Sequence, residues 1–472
     1  MTRVVIVGYG MAGARLAGEL RARDRADRLA ITVLGAEPHR AYNRILLSGL
    51  LAGRTAEADL TLAGPAGEGI DIRLGAAAVA IDRHARLVRT SRSAHSYDVL
   101  VLATGSRALV PPIAGLDERR LPDRVAVFRT LDDCRRILSA ADRARSALVL
   151  GGGLLGLEAA RGLAARGLRV DVVHAVGHLM ERQLDPTAGA VLAGTLADLG
   201  IATHLGAAVI GVEAAGDLVC VRLADGRELP ADLLVVACGV RPDAALAEAA
   251  GLRVGRGVLV DDQLRTSDPD VFAIGDCAEH PGAISGLVAP AWDQARVVAD
   301  VISGTDPGAR YRPTPPVTRL KAAGIDLAAM GESAEHAGAV TYADPHNGLY
   351  AKLVIRDDRL AGAILLGEHA CVGTVIQLFD RQTPLPPDRR QLLLGRPGAV
   401  PSGAGVADSP ALVPDGAVIC RCNGVTKGAI TRAWLDGRDV AAATQATTGC
   451  GTCRDAVDGI VEWLSTTEAV AA

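Results

Sequence analysis

Val4-Val5-Ile6-Val7-Gly8-Tyr9-Gly10-Met11-Ala12-Gly13 decides how this chain is read. The β-branched apolar run predicts a buried strand. Glycines 8, 10 and 13 follow in G-x-G-x-x-G spacing, and Ala14, Leu16, Ala17 and Leu20 then recur at helical intervals. A strand, a glycine turn and a helix in that order form the unit that holds a dinucleotide. The turn lets the backbone approach a pyrophosphate, which rests on the N–H groups opening the helix. A second apolar run, Ile31-Thr32-Val33-Leu34, leads to Glu37, where an acid accepts hydrogen bonds from an adenosine ribose. A glycine turn with only a structural role would need neither the flanking strand nor the acid.

The fingerprint recurs. Ala147-Leu148-Val149-Leu150 enters Gly151-x-Gly153-x-x-Gly156, with Glu158 on the helix that follows. The next strand, Leu168 to Val173, ends at His174, the place where an acid would read a ribose 2′-hydroxyl. With Arg182 close by, a 2′-phosphate is not obviously rejected, so the spacing leaves NADH against NADPH open. Between and beyond the two units lie further strand signals. Asn43, Arg44 and Ser48 fall in one short stretch suited to phosphate or ribityl oxygens, with Arg44 as the charged contact. Tyr97 to Ser106 reads as a strand ending in the small turn Thr104-Gly105, and Asp232 to Ala237 as a strand ending at Gly239. Asp270 to Asp276 places the Gly275-Asp276 carboxylate at a strand's C-terminal end, where α/β sheets bind ligands. The alternative for Asp276 is a cap on the following helix, which carries Trp292.

A chain of 472 residues is too long for one core, so three or four domains are expected. The formal net charge of -4 gives no sign of a nucleic-acid surface. No apolar run is long enough to span a bilayer, and the N-terminus lacks a signal-peptide pattern, so a cytoplasmic protein is expected. Cys134, Cys220, Cys238, Cys277 and Cys371 are scattered and read as small buried hydrophobes. The other four cysteines are paired as Cys420-Arg421-Cys422 and Cys450-Gly451-Thr452-Cys453. Four thiolates suit zinc or an iron–sulfur cluster, and their spacing leaves both open. The tail around them is too short for a large core, so a metal staple is expected there. Residues 394 to 416, dense in Gly, Pro, Ser and Ala, read as a linker.

On these motifs, residues 1 to about 390 resemble the pyridine nucleotide–disulfide reductase superfamily of two-dinucleotide flavoproteins. The resemblance implies an α/β fold with two Rossmann-like domains, the NAD(P) domain inserted in the FAD domain. An α/β interface domain, suited to a homodimer, follows. It implies FAD at Gly8, Gly10, Gly13, Glu37, Arg44, Ser48, Thr104, Gly105, Gly275 and Asp276, with Asn43 and Trp292 placed in the same set. It implies NAD(P)H at Gly151, Gly153, Gly156 and Glu158, to which His174 and Gly239 are added. The expected boundaries are 1–110 with 240–308 for FAD, 111–239 for NAD(P), 309–393 for the interface, 394–416 for the linker and 417–472 for the tail. The disulfide reductases carry a C-x4-C pair after the first glycine motif. Residues 38 to 60 here hold no cysteine, so disulfide reduction is disfavoured. No lysine stands around Ser48 and Gly49 to pair with a glutamate, so the residue tuning flavin N5 is unassigned.

The tail segments around the cysteines resemble the bacterioferritin-associated ferredoxin-like [2Fe–2S] domain. This implies a cluster on Cys420, Cys422, Cys450 and Cys453. That domain also follows the flavoprotein part of nitrite reductase large subunits. Phe128 to Asp133, Leu179 to Asp185 and Thr318 to Gly324 resemble the same subgroup. The sequence given stops at Ala472 with no further cysteine set for sirohaem, so the chain is not expected to reduce nitrite itself. The expectation is an NAD(P)H oxidoreductase that passes electrons through FAD and the cluster to a separate protein. The expected partner is a molybdenum nitrate reductase catalytic subunit of nitrate assimilation, or a nitrite reductase. No acid, base or nucleophile is assigned. The competing expectations are an NADH oxidase or a ferredoxin- or rubredoxin-reductase-type flavoprotein with a zinc-stabilised tail, and a regulatory NAD(P)H sensor.

Overall fold

The computed structural model describes residues 1–62, 69–313, 315, 317–322, 324–333, 338–369, 371–394, 410–420, 423–447 and 453–471. Thr2–Val7 lies at the centre of a five-stranded parallel sheet. It pairs with Leu29–Leu34 on one side and Val99–Leu102 on the other. Ile70–Arg73 and Val271–Ala273 form the edges. Parallel neighbours require crossovers, and the helix Met11–Arg23 is the first of them. Val4 to Val7 are all buried, which is why the run is continuously apolar rather than alternating. Leu16 and Leu20 of that helix, Ala295 and Val298 of the helix Val288–Ser303, and Val88 of an antiparallel meander share this core.

A second unit repeats the plan. Its sheet runs Ile201–His204, Arg169–Val173, Ser146–Leu150, Leu233–Val236 and Val125–Val127, all parallel. The unit is inserted into the first. Ser106–Ala108 leaves the first unit, Val240–Pro242 returns to it, and the two strands pair antiparallel. Both crossings therefore form one ribbon, which fixes the glycine turns of the two units toward a common space. The sheet strand before the first crossing, Val99–Leu102, is shorter than the run from Tyr97 to Ser106 suggested. Gly105, at φ +75°, bends the chain between Leu102 and Ser106.

A third sheet is antiparallel: Val317–Ala322, Ile325–Gly331, Arg359–Leu366, Leu349–Arg356 and Ala339–Asp344. Alternation sorts its side chains. Leu327, Ala329, Tyr350 and Ile364 join the core of the inserted unit. Ala328, Met330, Leu353 and Leu365 pack with Val375 and Phe379 of the helix Val372–Arg381. The turn at Asp357-Asp358 has φ of 46° and 55°, the left-handed pair of a two-residue hairpin.

The tail folds as a short ribbon, Val418–Cys420 with Val425–Thr426, followed by the helices Lys427–Leu435, Val440–Thr444 and Arg454–Ala471. Thr426 and Asp439 cap the first two through side-chain oxygens. Of the expected linker, residues 395–409 lie outside the described residues. Residues 410–416 do not behave as spacer. Lys427 Nζ donates to the Val413 carbonyl at 2.8 Å, and the Gly428 N–H to that of Asp415 at 2.8 Å. Their peptide groups satisfy the tail's buried donors, so the packed module begins near Pro410 rather than at 417. No described helix is long and apolar enough to cross a membrane.

Candidate functional site

The glycines of the first turn do three different jobs. Gly8 sits at φ +113°, and a Cβ there would lie 2.1 Å from the Ala103 oxygen. At Gly13 a Cβ would fall 1.9 Å from the Gly8 oxygen, so the helix can rest on the turn only without a side chain. At Gly10, the helix N-cap, a Cβ would meet no protein atom. It would project into the space that the helix N-terminus faces. The second turn matches this pattern. A Cβ at Gly151 (φ +120°) would lie 2.4 Å from the Ala237 oxygen, one at Gly156 2.0 Å from the Gly151 oxygen, and one at Gly153 would touch nothing. Two helix N-termini are thus left open for anions by identical backbone chemistry.

Both turns face one cavity of about 1340 Å³, lined by Gly8, Gly10, Gly151 and Gly153. This exceeds the roughly 300–1,000 Å³ of a single-ligand pocket. Glu37 lines it beside the first turn, where it accepts from the Tyr42 hydroxyl at 2.8 Å and pairs with Arg44. Arg44 also lies 5.1 Å over the Tyr42 ring. Thr104 donates to the Asp243 carbonyl at 2.6 Å, tying the outgoing crossing to the returning one. Gly275, at φ +75°, donates its N–H to Gln294 Oε1 at 2.7 Å. Asp276 faces the cavity and accepts from Ser106 at 2.8 Å and Arg129 at 2.7 Å. It is not a helix cap: Leu287 occupies the N-cap of Val288–Ser303.

At the junction of the two units, Glu158 on the helix Leu154–Ala165 meets Ser48 of the first unit. It is shielded from bulk water yet open to the cavity. Burial pushes its carboxyl up to about 7, against the lowering effects of the Ser48 hydrogen bond and Arg54. At the far end, His174 Nδ1 accepts from the Gly152 N–H at 3.1 Å. The proton therefore sits on Nε2, which lies 3.1 Å from Glu181 Oε2. Folding brings an acid, Glu181, to the place where the strand itself ends in histidine. Glu181 and Arg182 both line the cavity, and so does Gly239, at φ +103°.

Gly13 and Gly156 lie behind the cavity, where their role is packing. Asn43 and Trp292 are also outside its lining. Asn43 Oδ1 caps the short helix Arg44–Leu46 by accepting from the Ile45 N–H at 3.0 Å. Its Nδ2 donates to Asn423 Oδ1 of the tail at 2.7 Å. Its side chain is fully buried and both ends of the amide bond to the protein, so it does not face the cavity. Trp292 is buried between helices, with Nε1 3.3 Å from the Met11 carbonyl, and turns its polar edge to the protein.

Other lining residues were not among the expected site residues, although Arg129 and Arg319 fall in stretches that carry the family resemblance. Arg129 comes from a loop before the helix Leu131–Ala141, Arg319 from the third sheet, and Ala441, Ala442, Gln445, Thr447 and Arg454 from the tail. Cys238, expected to be an inert hydrophobe, also lines the cavity. Its thiol donates to the Leu150 carbonyl at 3.4 Å, and burial raises it to about 11, so it stays protonated and a poor nucleophile.

In the tail, Cys420 and Cys453 are buried in one small core with Val425, Ile430, Val457 and Ile460. Cys420 ends the ribbon's first strand, and Cys453 immediately precedes the last helix. Cys422 and Cys450 lie outside the described residues. Two convergent soft donors from distant segments, inside a core this small, suit a thiolate-bound metal group.

Two nucleotide-binding units around one cavity, with a thiolate module at its edge, define a dinucleotide-dependent oxidoreductase. Residues 2–295 match the model of the pyridine nucleotide-disulphide oxidoreductase family. The chain belongs to that family. Residues 316–382 match the rubredoxin NAD+ reductase C-terminal domain, and residues 418–463 the BFD-like [2Fe-2S] binding domain. The chain is 35% identical to the assimilatory nitrate reductase electron transfer subunit of Bacillus subtilis, over 99% of its own length and 60% of that protein. It is 37% identical to the nitrite reductase [NAD(P)H] large subunit of Klebsiella oxytoca, over 98% of its own length and 49% of that protein. The chain thus spans between half and three-fifths of the length of these relatives. Among solved structures, the covalent putidaredoxin reductase–putidaredoxin complex is similar at TM-score 0.74 and 28% identity, over 83% of this chain and 95% of that one.

These families imply FAD, NAD(P)H and a [2Fe–2S] cluster. The residues present fit the two dinucleotides, because Gly10 and Gly153 each leave free the volume a Cβ would take at a helix N-terminus. When bound, FAD accepts hydride from a nicotinamide and yields electrons singly.

Proposed function

We propose that this chain oxidises NAD(P)H and delivers the electrons through FAD and a [2Fe–2S] cluster to a separate reductase of nitrate assimilation. One observation carries the reading: residues of the thiolate module line the same cavity as both glycine turns. Donor site and exit are thereby adjacent. Oxidation of one NAD(P)H to NAD(P)+ releases two electrons, and the transferred hydrogen leaves as a proton. A one-electron centre takes the pair in two transfers. The chain's own groups bind and orient. The turn at Gly151, Gly153 and Gly156, with Glu158, His174 and Gly239, serves the nicotinamide nucleotide. Gly8, Gly10, Gly13, Glu37, Arg44, Ser48, Thr104, Gly105, Gly275 and Asp276 serve FAD. Cys420, Cys422, Cys450 and Cys453 hold the cluster.

The names of the nitrate and nitrite reductase relatives support an acceptor in nitrogen assimilation. The proposed partner is a molybdenum catalytic subunit, with a cytoplasmic location and a homodimer built on the third sheet. The proposed division is into FAD (1–110, 240–308), NAD(P) (111–239) and interface (309–393) regions, which the grouping of strands into three main sheets supports, and a cluster region reaching from about 410 to 472, supported by the contacts of Val413 and Asp415 with the tail. A second reading, transfer to a small one-electron carrier, is favoured by the rubredoxin-NAD(+) reductase of Alcanivorax borkumensis. It is 33% identical, and the chain covers 96% of it.

Anaerobically purified protein is expected to hold iron and acid-labile sulfide in equal amounts. Cys450→Ser and Cys453→Ser should lose the iron and the reduction of an external one-electron acceptor, yet keep flavin bleaching by NAD(P)H. Zinc without iron in the wild-type protein would refute the relay.

A further inference from the structure

The tail is docked on the first unit through a polar seat whose components have no other assignment. Asn43 is fully buried. Its Oδ1 caps Arg44–Leu46, and its Nδ2 donates to Asn423 Oδ1 at 2.7 Å, across 380 residues of sequence. The Asn423 amide is oriented from its other end, where Nδ2 donates to the Gln445 carbonyl. Gln445 Nε2 in turn donates to the Asp59 carbonyl of the first unit at 3.3 Å. Beside this chain of amides, Gly424 (φ +65°) lies so near the first unit that a Cβ would stand 2.8 Å from Arg15 Nη1 and 3.2 Å from the Trp292 ring. Ile45 packs into the tail's own core. Asn423 directly follows Cys422 in sequence, and Gln445 lines the dinucleotide cavity.

We propose that Asn43, through Asn423 and Gln445, is the positioning residue that seats the cluster module as a wall of the FAD cavity, in the pose from which the cluster is reduced. The last clause rests on the relay reading; the seat itself does not. The chemistry suits a contact that can open. Among the described residues, the hydrogen bonds across this seat run from side-chain amides to an amide oxygen or a peptide carbonyl, none of which titrates at moderate pH. A buried amide donor needs an acceptor. Asn423 Oδ1 accepts from it, which holds the neighbouring Gly424 against Trp292 and Arg15.

The test uses the full-length holoprotein and two variants that keep the cap on Ile45. Asn43→Ser retains a side-chain oxygen but cannot reach Asn423. Asn43→Asp sets an acceptor against an acceptor. Two readouts are followed: hydrogen–deuterium exchange over residues 44–60 and 423–447, and the rates of flavin bleaching and cluster reduction after mixing with NADH. In Asn43→Asp, exchange in both segments and the slowing of cluster reduction should each reach about tenfold, with a smaller effect in Asn43→Ser. Flavin bleaching should keep its wild-type rate. Unchanged exchange at both segments in Asn43→Asp would overturn the seat. Faster exchange with unaltered cluster reduction would overturn its role in positioning. A wild-type cluster that NADH does not reduce would remove the relay reading alone, because the exchange measurement would still decide the seat.

Discussion

Gly10 and Gly13 stand three residues apart in one motif and fail in opposite ways. An alanine Cβ at 13 would lie 1.9 Å from the Gly8 carbonyl oxygen, so helix and turn must separate. Gly13→Ala should destabilise even the flavin-free protein, by about 1–3 kcal/mol or more in urea denaturation. At 10 the added methyl meets no protein atom. Gly10→Ala should leave that denaturation midpoint within about 0.5 kcal/mol of wild type while weakening FAD binding in a titration. Equal loss of stability in both would contradict the assigned roles. Glu158 gives a pH signature at the same scale. Its carboxyl is raised from 4.5 to about 7 in the folded chain. Between those values the unfolded chain has released the proton and the folded chain keeps it. Stability therefore falls as pH rises across that window, by roughly 3 kcal/mol. Glu158→Gln should flatten the slope in the flavin-free protein. A variant as steep as wild type would place the titrating group elsewhere.

Among the elements, the strand Leu349–Arg356 shows how tertiary packing overrides pattern. It is buried on both faces, yet it carries Lys352 toward the inserted unit. Tyr350 donates to Asp185 Oδ2 at 2.7 Å and Lys352 Nζ at 2.8 Å. Asp185 also caps the helix Pro186–Asp198. One carboxylate thus joins the third sheet to the second. Against its burial, the Ala188 N–H, Lys352 and Tyr350 hold it below the usual carboxylate range. That contribution is present above the unfolded carboxylate pKa and is lost as pH falls through the lower folded one. Lys352→Met strands a buried charge and should cost about 3–5 kcal/mol by denaturant titration. Adding Asp185→Asn should restore part of it; a double variant weaker than the single one would refute the pairing. The strand was legible from its apolar run. The lysine's partner was not, since 167 residues separate them.

At the scale of the whole molecule, the two crossings pair as a single ribbon, and the cavity draws its walls from both nucleotide units, the third sheet and the tail. Shortening the segment between Leu394 and Pro410 should slow reduction of an external acceptor while flavin bleaching by NAD(P)H is unchanged. Equal slowing of both reactions would argue that the cluster module never leaves its seat. The candidate site was only partly legible in advance. Motif glycines, Glu37, Arg44, Ser48, Asp276 and Glu158 sit in local signals, and all but Gly13 and Gly156 line the cavity. Arg129 and Arg319 fall in stretches that carry the family resemblance and Cys238 precedes Gly239, but no local signal marked these side chains, or Gln445, as lining it.

The sequence alone determined the two glycine turns, the strands that feed them and the pairing of cysteines in the tail. Each is a local matter of backbone freedom, apolar run length or ligand spacing. Only the tertiary structure decided what depends on residues far apart in the chain. Asn43 meets Asn423 of the tail across 380 residues, and Lys352 meets Asp185 across 167. The tail became a wall of the cavity. A hydrogen bond is satisfied by whichever partner the fold delivers, and no local pattern records that choice.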